Sequence, residues 1–144
     1  MKFYVLAVAA LAAMPLLAGC NSMGGVPQFV GAVISPIELH PGDTALVTID
    51  VKDKNGIIDA ISGVIDEEPS RSLKLHDDGQ EGDLKAGDST WSLAVKVPLQ
   101  APPGTFNLTF TAYRSDGVAV PVRGNDGTIE SLAVHMPLVI SLKQ

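Results

Sequence analysis

Five carboxylates fall within twelve residues: Asp77, Asp78, Glu81, Asp83 and Asp88. Crowded like charges repel one another, and a hard cation would remove that repulsion. Ca²⁺ takes six to eight oxygen ligands from carboxylates, carbonyls and water. Asp77, Asp78, Asp83 and Asp88 are the candidate ligands for such an ion. Gly79, Gly82 and Gly87 would let the backbone fold back among them and present carbonyls. The spacing is not that of an EF-hand, whose ligands alternate along a twelve-residue loop. The same residues also support a loop without metal. Asp and Gly are ordinary turn formers, and an Asp side chain bonds readily to a backbone N–H two residues on.

Other reactive groups are sparse. His40, His76 and His135 show no close spacing of the kind that zinc sites use. There is no G-x-S-x-G elbow, no P-loop and no glycine-rich dinucleotide fingerprint. A glycosidase carboxylate pair needs a cleft around it, and a chain this short has little to spare for one. The sequence therefore predicts a non-catalytic protein.

The elements that position the acidic stretch read as strands. Val47, Ile49 and Val51 alternate with Thr48, Asp50 and Lys52. Residues 57–65 are β-branched and broken by Gly63, and Leu73 and Leu75 alternate with Lys74 and His76. Trp91, Leu93, Val95 and Val97 share one face, opposite Ser92, Ala94 and Lys96. Phe106, Leu108, Phe110 and Ala112 share another, and Leu132, Val134, Met136, Leu138 and Ile140 complete the pattern. Turn chemistry separates them at Pro41-Gly42-Asp43, Lys54-Asn55-Gly56, Pro102-Pro103-Gly104, Ser115-Asp116-Gly117 and Gly124-Asn125-Asp126-Gly127. About seven half-buried strands predict an all-β, antiparallel β-sandwich. Pro36, Pro98, Pro121 and Pro137 cannot donate to a ladder, which places them at strand ends or edges.

The stretch Pro41-Gly42-Asp43-Thr44-Ala45-Leu46-Val47 and the run from Pro103-Gly104-Thr105-Phe106 to Ser115-Asp116-Gly117 resemble immunoglobulin-like or fibronectin-III-like modules of bacterial surface proteins. Residues 75–91 resemble the L-x-DDG-x-x-GD-x-x-AGDG-x-Y signature of choice-of-anchor X domains. Asp77, Asp78, Gly79, Gly82, Asp83, Ala86, Gly87 and Asp88 match it, with Ser89 in place of glycine and Trp91 in place of tyrosine. These resemblances imply a fold and leave the activity open.

At the other end of the chain, Met1-Lys2 opens an apolar run that closes on Leu17-Ala18-Gly19-Cys20. A charged start, an apolar core and small residues before the cut are the parts of a signal peptide. Leu17, Ala18, Gly19 and Cys20 resemble the lipobox of bacterial lipoproteins, which implies cleavage before Cys20 and lipidation of its thiol. Residues 1–19 would be the signal peptide, 20–28 the lipidated cysteine and a linker, and 29–144 the immunoglobulin-like domain. Loss of Lys2 takes the net charge from −6 to −7. That balance argues against nucleic acid and against docking on anionic lipid through a basic patch. Cys20 is the lone cysteine, so no internal disulfide forms.

Together these features predict a lipid-anchored protein of the inner or outer membrane, facing the periplasm or exterior, with an envelope protein as partner. Asn21 resembles the residue that follows the cysteine in outer-membrane lipoproteins of enterobacteria. The alternative is a carbohydrate-binding or accessory module of a secreted enzyme system. Sugar sites need exposed aromatic platforms. The aromatics beyond the leader are Phe29, Trp91, Phe106, Phe110 and Tyr113, of which parity leaves Tyr113 alone facing outward. An exposed Trp91 beside the acidic loop would favour that alternative.

Overall fold

A computed structural model describes residues 25–144 of the chain. The expected signal peptide of residues 1–19, with the lipobox-like Leu17-Ala18-Gly19 and the helix expected of such a leader, and Cys20 lie outside the described residues. Ten strands follow in order: β1 (Gln28–Ser35), β2 (Glu38–Leu39), β3 (Thr44–Lys52), β4 (Ala60–Ile65), β5 (Glu68–Lys74), β6 (Thr90–Lys96), β7 (Gly104–Tyr113), β8 (Pro121–Arg123), β9 (Ile129–Ser131) and β10 (Ala133–Ile140). Seven are six residues or longer. The short β2, β8 and β9 escaped the periodicity, because two or three residues cannot display one.

One sheet has the order β1-β3-β6 and the other β2-β10-β7-β4-β5, with β8-β9 as a separate hairpin. Of the seven long strands, the first, second and fifth form one sheet, and the third, fourth, sixth and seventh form the other. This crossing of the chain between sheets is the Greek-key arrangement of an immunoglobulin-like β-sandwich. All pairings are antiparallel except β2 with β10, which adds two parallel residue pairs, Glu38 with Val139 and Leu39 with Ile140.

The core follows from alternation. Ala45, Val47, Ile49 and Val51 of β3 face Leu108, Phe110 and Ala112 of β7 and Met136, Leu138 and Ile140 of β10 in one buried cluster. Trp91, Leu93 and Val95 of β6 pack against that cluster from its margin. Leu39, Ile61, Leu75, Val120 and Phe110 are wholly buried and fill the interior. Gly63 is needed where it stands, since a Cβ there would lie 2.5 Å from Phe110 Cδ1 and 2.6 Å from the Thr109 carbonyl oxygen.

Three expectations shift in detail. The domain starts earlier than residue 29: Pro27 is already buried and Gln28 pairs with Lys52. Residues 57–59 precede β4 rather than belonging to it, although Ile58 is buried. Ser92, expected to face solvent, is buried, for a reason that lies in the acidic loop. Pro137 pairs with Asn107 of β7 on one side, and β2 does not reach it on the other, so it sits at an open edge as expected.

Candidate functional site

Residues 75–89 carry the chain from β5, at the margin of one sheet, to β6, at the margin of the other. Leu75 anchors the start: it is fully buried and donates its N–H to the Ile61 carbonyl at 2.9 Å. His76 and Ser92 then exchange two backbone hydrogen bonds of 2.8 Å each. Farther along, Ala94 donates to the Glu81 carbonyl at 2.8 Å. The loop thus runs along the free side of β6 and occupies the backbone groups that an exposed edge would offer to another chain. Ser92 is buried where the loop lies along this edge.

Tight approach is what the glycines supply. Gly82 has φ +100°, and a Cβ on it would sit 2.8 Å from the Ala94 nitrogen and 3.1 Å from Leu46 Cδ1. Gly79 and Gly87 are also left-handed, at φ +77° and +71°. Among the described residues, Glu81 and Ser89 are the two non-glycine residues with positive φ, at 53° and 66°. Ser89 therefore holds a backbone shape that glycine would adopt without strain. Its carbonyl accepts the Val51 N–H at 2.9 Å and ties the loop to β3.

The Asp side chains bind the loop's own backbone. Asp83 is only 6 % exposed. Its Oδ2 accepts the Gly79 N–H at 2.7 Å and its Oδ1 the Lys85 N–H at 3.4 Å. Asp77 Oδ1 accepts N–H groups from Gly87 at 2.9 Å and Asp88 at 3.2 Å. Asp88 Oδ1 accepts the Thr90 N–H at 2.9 Å. Of the four candidate ligands, the fold gathers three: one oxygen each from Asp77, Asp83 and Asp88 lie within 4.8 Å of one another. Asp78 turns aside, with Oδ1 on the Gln80 N–H at 3.0 Å and Oδ2 3.5 Å from His76 Nδ1. Burial pushes the Asp77 carboxyl above its ordinary value, the Gly87 and Asp88 N–H groups oppose that shift, and the charges of Asp83 and Asp88 add to it.

Three carboxylates at this separation suit the donor chemistry of Ca²⁺ and would supply about half of a shell of six to eight oxygens. They fit a hard cation better than zinc, which favours nitrogen and sulfur. The histidines do not gather. His40 contacts Asp43, His76 contacts Asp78, and His135 shares a 2.9 Å bond with Thr109.

The five aromatics of the domain are all buried or half-buried. Trp91 packs on the core and Tyr113, expected to face outward, is half-buried. No aromatic platform is exposed among the described residues. The edge-covering role of the loop is the feature that the sequence did not announce; its one local sign is the dense glycine spacing.

No protein-family model and no curated protein matches the sequence. A solved structure, that of a Niemann-Pick type C2 protein from Japanese carpenter ant, aligns with a TM-score of 0.47 and 12% identity, over 83% of this chain and 96% of that one.

Proposed function

We propose that this chain is a lipid-anchored, non-catalytic module of the cell envelope that binds or positions another envelope protein. The observation that carries the reading is a lipobox, Leu17-Ala18-Gly19-Cys20, placed only a few residues before a sandwich whose interior is filled by its own side chains. A filled interior leaves outer faces, strand edges and loops as contact surfaces, which serve recognition by strand addition or loop contact. Crosslinking in intact cells, followed by reciprocal crosslinking from the recovered protein, tests it. A single partner recovered in both directions supports the reading. Defined glycan binding by the purified domain, with no crosslinked partner, would overturn it in favour of the carbohydrate-binding alternative.

A second element of the reading concerns the loop. Asp77, Asp83 and Asp88 would hold a Ca²⁺ ion, which would neutralise the carboxylate charges that add to the effect of burial on the Asp77 carboxyl. The ion would clamp the loop against β6 and stabilise the module outside the cell. Thermal melts of residues 22–144 in EGTA and across a Ca²⁺ titration test this. A ligand specific to the native state adds about 2.7 kcal/mol at a hundredfold excess over its dissociation constant. A melt unmoved by Ca²⁺ would leave the loop to its N–H bonds alone.

A further inference from the structure

The two ends of the sandwich differ in what they can touch. At one end lie the start of β1, where Gln28 pairs with Lys52, and the turn of residues 53–57. Gly25 packs there against Asn55. The end of β7 reaches the same level, with Tyr113 paired to Ala60 at the start of β4, and is followed by the turn of residues 114–118. Val26 and Val118 are exposed at this end, Val26 beside Lys52 and Lys54. At the other end lie Ile37, 82 % exposed, Leu99, 78 % exposed, and Leu142. β3, nine residues long, separates the two ends. Its eight steps, at about 3.4 Å each, span roughly 27 Å.

Cys20 precedes Gly25 by five residues. A chain of that length reaches at most about 18 Å even when extended. A lipid on Cys20 therefore keeps this end of the sandwich next to the bilayer, while the far end can stand a full strand length farther away.

We propose that the sandwich stands end-on on the membrane, with the 53–57 and 114–118 turns against the phospholipid headgroups and Ile37, Leu99 and Leu142 facing away. The inference rests on the lipid-anchored reading. The short tether holds the contact, since it keeps the local concentration of lipid surface high without intrinsic affinity. Val26 and Val118 meet the interface as small apolar contacts. Lys52, Lys54 and Arg114 at this end are balanced by Asp53, Asp59 and Asp116, so the contact is insensitive to salt.

The test uses the full chain, expressed with its own leader in a bacterial host and reconstituted into vesicles of phosphatidylethanolamine and phosphatidylglycerol with a headgroup-attached nitroxide quencher. Fluorophores are placed through N55C and V118C at the near end and L99C and L142C at the far end, all at exposed positions. Near-end labels quenched several-fold more than far-end labels, in low and high salt alike, support the proposal. Twelve Gly/Ser residues inserted after Ser22 should narrow that difference. Equal quenching of both ends in the lipidated protein, or stronger quenching at the far end, overturns the orientation while leaving the anchor intact. Mass spectrometry separates the two readings, since an N-terminal peptide without lipid on Cys20 overturns the anchor and the orientation together.

Discussion

The carbonyl of Glu81 accepts the N–H of Ala94 at 2.8 Å, and Glu81 adopts a left-handed backbone to do so. With the His76–Ser92 pair, this contact makes the acidic loop a cover for the edge of β6. Gly82, next in sequence, permits the approach. G82A should destabilise the domain by at least about 2 kcal/mol, since an L-residue there is strained and its Cβ meets backbone. Urea denaturation measures the loss. Sedimentation velocity should show increased self-association as the edge is released, and an unchanged monomer of native stability would refute the covering role.

Asp83 and Asp88 separate by burial. D83A removes the acceptor of the Gly79 and Lys85 N–H groups in a buried site and should cost about 1–3 kcal/mol. D88A frees one N–H at an exposed position and should cost less. Equal losses in chemical denaturation would contradict the buried anchoring of Asp83.

The carboxylates also divide by the sign of their pH dependence. Asp43 is held below its usual value chiefly by the His40 backbone N–H and then its ring, Asp116 by the Val118 N–H and then Arg114, and Asp126 by the Thr128 hydroxyl and N–H. Their stabilisation is present above the unfolded carboxylate value of about 3.9 and is lost as pH falls through their lowered folded values. Asp77 has the opposite sign. Its unfolded carboxyl ionises first, so stability falls as pH rises from about 3.9 through the raised folded value, and the loss persists at neutral pH. D77N keeps the Oδ1 acceptor and removes the charge. It should raise the urea midpoint at pH 7 in EGTA, with the advantage shrinking by pH 3. A lower midpoint at pH 7 would show that the charge itself holds the loop.

Gly63 offers a control remote from the loop. G63A forces a methyl group into Phe110 and the Thr109 carbonyl, and overpacking of this kind costs about 1–3 kcal/mol. Thermal denaturation should register it with no change in any response to Ca²⁺.

The sandwich was legible because its long strands alternate. Val47, Ile49, Leu108, Phe110, Met136 and Leu138 are buried where parity put them. β5 was fainter, since Glu68-Pro69-Ser70-Arg71-Ser72 is exposed and only Leu73 meets the core. Ser92 was misassigned because alternation describes one strand and its two faces. Its burial comes from a loop that returns from the opposite sheet, and tertiary placement of that kind leaves no periodicity. The candidate site was legible as a composition of Asp and Gly, yet the sequence could not say that Asp78 turns away while Asp77, Asp83 and Asp88 converge. That sorting depends on which backbone N–H each carboxylate captures.

Among the described residues, the loop covers β6 and no strand pairs with the far side of β1, so the three-stranded sheet has two unlike borders. A sheet with two open borders can accept a copy of itself on either side and propagate without limit. One with a single open border can close a symmetric pair through β1 and then has no border left to extend. The loop acts as a chain terminator: it confines lateral association through this sheet to pairs and denies it the geometry of a fibre.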